Sequence, residues 1–588
     1  MKSFFKYLLA TIVGVLLSFL LIFLIMMGIA GSMVSSADKA VEVKDNTILY
    51  MDLKNEIVDR ASSNPFETLD LATFEPQKNL GLNEILKAIA KAKDDPRIKG
   101  ILLEFDVVNA GAATTGEIRE ALREFKESGK FVVSYSDTYS QKAYYLASVA
   151  DSIYLNPEGM VEWLGLRSEI MFYKKALEKL DVEPQIIRHG KFKSAVEPFM
   201  SERMSPENRE QTLTYLSSIW GSWVDEISKS RNIAVAELNR LADNMEVYDG
   251  KSCMKSKLVD SLIYKDQLLE KLKAFTGIPE NRNLNTVTLE KYFKVPPVQK
   301  TAFSKNKIAV IYAQGEIGMG DGSNTAIGSE GLSKAIRQAR RDSTIKAIVF
   351  RINSPGGSAL ASEVIWREVE LAGQAKPLVV SMGDVAASGG YYIASPATTI
   401  LASPTTITGS IGVFGLFFNL QKTLDKKLGI NVDVVKTNAH SDFFSMFRPM
   451  TAEEKAVGQR FVEQTYQTFI GHVSQGRGIP VERVDEIGQG RVWSGANAKE
   501  IKLVDDFGGL TAAIKLAAEK ANLDIYRLVE LPKQKSPFEE LLKGFTTEAK
   551  AMLVKDDLGK GYKYYNRVMQ MVENQGVQAR IPYDVEVY

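Results

Sequence analysis

Ile345-Lys346-Ala347-Ile348-Val349-Phe350 restates, with near-identical residue types, the stretch Ile98-Lys99-Gly100-Ile101-Leu102-Leu103 found 247 positions earlier. A run that is apolar except at its second position predicts a strand buried on both faces, as parallel sheets require. The same offset carries Ser134 onto Ser381, Asp137 onto Asp384, Tyr144-Tyr145 onto Tyr391-Tyr392 and Pro157 onto Pro404. Lys257-Leu258-Val259-Asp260 recurs as Lys502-Leu503-Val504-Asp505 at an offset of 245. Asn46 and Glu56-Ile57 recur as Asn306 and Glu316-Ile317 at an offset of 260, so the first copy carries a 13-residue insertion around 59–80. The chain is a tandem duplication.

In the second copy, the stretches 308–311, 347–352 and 377–382 read as strands. They alternate with helical patterns at 332–340 and 361–371 and a helix starting at Ser388. That alternation predicts α/β domains with parallel strands and crossover helices. The expected domains are 46–290 and 306–532. Lys291 to Ser304, with Pro296-Pro297, reads as the linker, and the charged tail 533–588 is expected to be helical.

The 588 residues are too many for one core, which agrees with two domains. With 73 basic and 72 acidic residues, no electrostatic argument for nucleic acid arises, and none is expected as a partner. Cys253 is the single cysteine and reads as a core residue. The three histidines, His189, His440 and His472, show no ligand spacing, so neither a metal nor another cofactor is expected.

Lys2 and Lys6 precede an uncharged stretch whose strongly apolar part runs from Tyr7 to Ala30. As a helix it would span about 36 Å at ~1.5 Å per residue, against a hydrocarbon core of about 30 Å. It reads as an uncleaved signal anchor within 1–37, although the small residues Gly31 to Ala37 would also suit cleavage. The lysines place the N-terminus in the cytoplasm and the rest of the chain across the membrane.

Two loops of the second repeat are rich in glycine. Ser354-Pro355-Gly356-Gly357 lies where a strand gives way to a helix, and its glycines allow a sharp turn with exposed N–H groups. In Ala387-Ser388-Gly389-Gly390, Ser388 follows a strand and opens a helix, whose N-terminus favours negative charge. Either loop alone could be an ordinary turn or helix cap. The repeat comparison weighs against that: Ser388 falls on Gln141, and Gly356-Gly357 on Asn109-Ala110. A serine nucleophile needs a base. Phe192-Lys193-Ser194-Ala195-Val196 sets a lysine among apolar residues that would favour its neutral form. Its counterpart in the second repeat is Ala439, His440 or Ser441, none a lysine. Each repeat thus keeps one member of a dyad. Lys191 and His440 are the competing bases.

Phe192-Lys193-Ser194-Ala195-Val196-Glu197-Pro198-Phe199, Asn353-Ser354-Pro355-Gly356-Gly357-Ser358 and Ala387-Ser388-Gly389-Gly390-Tyr391-Tyr392 together resemble the signal peptide peptidase A family in its long, tandem-repeat form. The resemblance covers nearly the whole chain. It implies two tandem ClpP/crotonase-like domains behind one transmembrane helix, and a bacterial inner-membrane protein held by residues 7–30 with its catalytic domains in the periplasm. It also implies a homotetramer acting on remnant signal peptides and other short apolar peptides. Ser388 would be the nucleophile and Lys193 the general base. Ser410, in Thr408-Gly409-Ser410-Ile411-Gly412, would orient the lysine, and Gly356, Gly357 and Gly389 would form the oxyanion hole. The alternatives are a crotonase-type acyl-CoA enzyme and an inactive peptide-binding scaffold.

Overall fold

A computed structural model describes residues 41–62, 79–298, 304–534 and 576–581, with short pieces at 6–7, 10–18, 20–21, 69–70 and 75–76. The two duplicated apolar runs are the central strands Ile98–Glu104 and Ile345–Ser354, each with its lysine exposed and its following residues buried. Around the first lies a six-stranded parallel sheet, ordered Ser261–Leu262, Ser152–Val161, Phe131–Tyr139, Ile98–Glu104, Thr47–Met51, Thr286–Thr288. Around the second lies an eight-stranded sheet. Its main path is Val492–Ser494, Ile407–Gly409, Leu378–Ala387, Ile345–Ser354, Lys307–Gln314, Arg527–Leu531, parallel except at Val492–Ser494. Strands run longer than their apolar cores suggest; Leu378–Ala387 continues five residues past Met382 and so reaches Ser388.

The repeated polar residues do the same work twice. Asp260 accepts the Ile153 N–H and Asp505 the Ile400 N–H, both at 2.7 Å. The Tyr144 hydroxyl donates to Leu258 O (2.7 Å), and Tyr391 donates to Leu503 O (2.8 Å). One apolar cluster runs through both repeats, joining Leu49, Ile101 and Leu103 to Ile308, Val310 and Val349. Cys253 is buried in it.

A third sheet is assembled from distant parts of the chain. Its order is Ala326–Gly328, Glu316–Gly318, Gly356–Ser358, Gly576–Arg580, Phe414–Asn419, Glu183–Arg188. The first repeat supplies Glu183–Arg188, which pairs antiparallel with Phe414–Asn419 over six residues. Where the tail is described beyond Gln534 it is this strand, Gly576–Arg580, rather than the expected helix; the rest of the tail lies outside the described residues. So does much of the 59–80 insertion and of the expected anchor at 7–30. No helix among the described residues is long and apolar enough to cross a membrane.

Candidate active site

Strand Leu378–Ala387 lies between Ile345–Ser354 and Ile407–Gly409 and delivers Ser388 at its end. Ser388 has φ 55° and ψ −112°, a conformation rarely adopted by residues with a Cβ, and its N–H donates to Gly409 O at 2.8 Å. The abrupt turn into helix Gly389–Ala394 presents the hydroxyl inward. A Cβ on Gly356 would stand 2.7 Å from Gly389 N, so the two loops meet this closely only with glycine at 356.

Lys193 arrives from the other repeat, on the turn between Glu183–Arg188 and Glu197–Met200. The turn is clamped to the second repeat. Phe192 N–H donates to Gln489 O (3.0 Å), while Gln211 Nε2 donates to Ser194 Oγ (2.8 Å) and Gln211 Oε1 accepts from the Val492 N–H (3.1 Å). Gly490 lies against the lysine stem; a Cβ there would be 2.6 Å from Lys193 Cβ. Lys193 is fully buried. Its Nζ lies 2.8 Å from Ser388 Oγ, 3.1 Å from Ser410 Oγ and 3.3 Å from Ser410 O. Burial alone pushes its pKa well below the ordinary 10.5, with no carboxylate acting to restore it. A neutral amine at that distance can take the serine proton.

Ser410 is itself fixed, with φ 49° and its N–H donated to Arg491 O at 2.7 Å. Gly356 and Gly357 have φ of 99° and 154°; a Cβ on Gly356 would meet Gly389 N at 2.7 Å, and one on Gly357 would meet Ile317 O at 2.1 Å. Ser388, Lys193 and Ser410 are in contact, Gly389 follows Ser388 in the chain and packs on Gly356, and Gly357 is the next residue of that turn, paired with Ile317 and Ala579. The competing bases stand apart: Lys191 is exposed, and His440 is half-exposed beside Glu453 and Glu454, at 3.8 and 3.6 Å.

Four contributors escape a reading of the sequence. Gly490 and Gln211, which hold the lysine turn, sit in unremarkable surroundings. Strand Gly576–Arg580 lines the glycine loops from a tail with no strand pattern. Arg351 joins Asp59 and Glu117 across the repeats; a charge inside an apolar strand was the signal that could have flagged it.

A serine beside a buried, uncompensated lysine, built from two α/β repeats, defines a class of hydrolase, and the comparisons agree. Peptidase family S49 matches twice, over residues 124–278 and 370–524, stretches related by nearly the same offset as the duplicated strands. The chain belongs to peptidase family S49 and is a serine protease. Protease 4 of Salmonella typhi is 36% identical over 91% of this chain and 88% of its own. Protease 4 of Haemophilus influenzae is 37% identical over 75% and 73%. The chloroplastic serine protease SPPA of Arabidopsis thaliana is 32% identical over 92% and 78%. The solved ClpP1 from Listeria monocytogenes covers 34% of this chain and 91% of its own, at 16% identity and a TM-score of 0.22, too low to bear on the fold. Membership of the family leaves no room for the acyl-CoA alternative.

Proposed function

We propose that this protein is a membrane-anchored endopeptidase that cleaves remnant signal peptides and other short apolar peptides by a Ser388–Lys193 dyad. The observation that carries the reading is the 2.8 Å contact between Lys193 Nζ, deeply buried and without a counter-charge, and Ser388 Oγ. Neutral Lys193 accepts the Ser388 proton as the oxygen attacks a peptide carbonyl. Backbone N–H groups of the Gly356-Gly357 turn and of Gly389 meet the oxyanion. Protonated Lys193 passes its proton to the leaving amine, and water then hydrolyses the ester. Ser410 holds the amine in line.

Apolar substrates suit the surroundings: Val196, Phe199, Phe414, Leu416 and Phe418 cluster beside the lysine. An anchor suits the N-terminus, where Leu16, Leu17, Leu20 and Leu21 are each more than half exposed and want an apolar medium. The catalytic domains then face the periplasm of a bacterial inner membrane, each repeat having a ClpP/crotonase-like fold.

The duplication also favours a ring. Within the chain, Glu183–Arg188 of the first repeat pairs with Phe414–Asn419 of the second. The left-handed residues Asp181 and Gly429 mark equivalent turns, so the counterparts of these strands are 431–436 and 166–171, and both lie outside any strand. Head-to-tail pairing of 431–436 with 166–171 of a second copy repeats the internal joint and closes into the homotetramer. The mass of the assembly in mild detergent tests this; a monomer overturns it.

A serine-directed acylating probe tests the chemistry. We expect one adduct, on Ser388, forming faster as pH rises through the depressed lysine pKa, because only neutral Lys193 can take the proton. Mass spectrometry finding the adduct on another serine would sink the dyad.

A further inference from the structure

Gly490 packs against the stem of Lys193, and the next residue, Arg491, reaches the same turn with its side chain. Its guanidinium carbon lies 4.6 Å from the centre of the Phe192 ring and 4.4 Å from that of the Trp493 ring. Phe192 belongs to the first repeat and immediately precedes Lys193, whereas Trp493 belongs to the second-repeat strand Val492–Ser494. Arg491 Nη2 lies 2.8 Å from Glu210, on the first-repeat helix Pro206–Arg231. The side chain is largely buried, and its Nε finds no hydrogen-bond acceptor. Two rings and one carboxylate therefore hold this cation, and two of those three partners come from the other repeat.

These contacts reach both groups that touch the amine of Lys193 or carry it. The main chain of Phe192 is fixed, its N–H donated to Gln489 O at 3.0 Å and its carbonyl accepting from Gln211 Nε2 at 3.1 Å. Its buried ring is what Arg491 meets. Trp493 pairs with Thr408, and a Cβ on Gly409 would stand 2.7 Å from Trp493 Cδ1, so this ring bears on the residue before Ser410. The Arg491 carbonyl accepts the Ser410 N–H at 2.7 Å. One residue thus holds the neighbour of Lys193 with its side chain and Ser410 with its main chain, and Ser410 Oγ is 3.1 Å from Lys193 Nζ. Arginine suits the place: its flat cation can lie over aromatic rings while it also binds a carboxylate, which a compact ammonium cannot do.

We infer that Arg491 is a positioning residue of the dyad, whose contacts with Phe192 and Trp493 fix the distance of Lys193 from Ser410 and Ser388 and keep water from the lysine. The inference rests on the dyad reading above. Releasing the Phe192 ring loosens the turn that carries the base, and a displacement of ~1 Å in a reacting group costs about 10²-fold in rate. It also wets the pocket. Burial alone depresses the pKa of Lys193, so entry of water raises it towards the ordinary value, and the neutral amine then forms only at higher pH. The charged groups beside the two rings and Arg491 are Glu210 and Lys191, whose Nζ is 5.4 Å from the centre of the Phe192 ring. Phe192, Arg491 and Trp493 lie outside the apolar cluster of Val196, Phe199, Phe414, Leu416 and Phe418, so peptide binding should change little.

The test uses the full-length protein in mild detergent as wild type, Arg491→Ala, Arg491→Lys and Lys193→Met. It measures kcat and KM for an apolar peptide, the pH dependence of Ser388 acylation by the serine-directed probe, and the urea midpoint of each variant. Both Arg491 variants are expected to lose about 30- to 100-fold in kcat with KM within about twofold of wild type. The acid limb of their acylation profile should move up by about one pH unit or more. A merely structural role would lower the urea midpoint and leave that limb where it is. Arg491→Lys keeps a positive charge for Glu210, so its failure to recover activity separates the ring contacts from the ion pair, and it decides the matter where Arg491→Ala does not fold. A folded Arg491→Lys with kcat within about threefold of wild type, or with an unmoved acid limb, overturns the inference and leaves the dyad standing. Lys193→Met with activity within about tenfold of wild type overturns both.

Discussion

Ser388→Ala and Lys193→Ala will each lower kcat for an apolar peptide by about 10⁴-fold or more, and the double variant will lose little beyond either single one. The two side chains make one functional group: a serine hydroxyl without a base is a poor nucleophile, and the base has no other proton to take. Lys193→Arg will be equally inactive. A guanidinium stays charged at any usable pH and cannot accept the proton, so conserving the charge conserves nothing. Lys193→Met supplies the control for folding. The folded pKa of Lys193 is depressed, so its contribution to stability is fully present only above about 10.5 and is lost as pH falls towards the folded value. A methionine carries no such penalty. Lys193→Met should therefore unfold at higher urea than wild type at pH 7, with a gap that narrows towards pH 10, while remaining inactive. Activity within tenfold of wild type in Lys193→Met would mean that another group is the base.

That trade between stability and chemistry explains how much of this protein could be read in its sequence. Residues that recur in both repeats build the fold. Asp260 and Asp505 satisfy equivalent strand N–H groups, and Tyr144 and Tyr391 reach equivalent carbonyls. Residues that appear in only one repeat mark the site. At the position of Ser388 the first repeat has Gln141, whose Oε1 accepts the N–H groups of Leu164 and Gly165 at 2.8 and 2.7 Å and whose Nε2 donates to Gly165 O at 2.9 Å. There the backbone keeps an ordinary helix entry through Ser140, at φ −63°, rather than the strained turn at Ser388. One repeat has spent the position on local hydrogen bonds, the other on an available hydroxyl.

What could not be read is whatever depends on pairing between distant segments. Nothing in Gly488-Gln489-Gly490 announces that its second glycine touches Lys193, because the partner lies almost 300 residues away. The tail is similar. Val577, Gln578 and Ala579 are too few and too mixed to predict a strand, and they become one because two open edges flank them.

The largest effect on stability is expected at Arg351, a charge at the centre of the second sheet. Its guanidinium is fully buried. Nε donates to Asp59 at 2.8 Å, Nη1 to Ser381 Oγ at 2.9 Å and Met382 O at 3.2 Å, and Nη2 lies 2.8 and 2.7 Å from Asp59 and Glu117. The Nη2 contacts are close in distance but off the hydrogen-bonding angle, so their attraction is chiefly that of charge. Burial lowers the pKa of Arg351, and the two carboxylates more than offset it. Burial raises that of Glu117 in spite of the arginine. Both carboxylates belong to the first repeat, so this cluster ties the repeats together, and through Ser381 and Met382 it braces the strand that ends at Ser388. Arg351→Met leaves two acidic groups buried without a counter-ion and should cost about 3–5 kcal/mol, read as a lowered urea midpoint that added salt does little to change. Arg351→Lys should recover only part of that, because an ammonium cannot fork to four oxygens. Replacing all three charges with apolar residues of similar volume (Arg351→Met, Asp59→Leu, Glu117→Leu) should restore most of the loss, since no charge then remains to be desolvated. If Arg351→Met costs less than about 1 kcal/mol, as removal of an exposed pair such as Arg483–Glu486 would, the cluster does not hold the two repeats together.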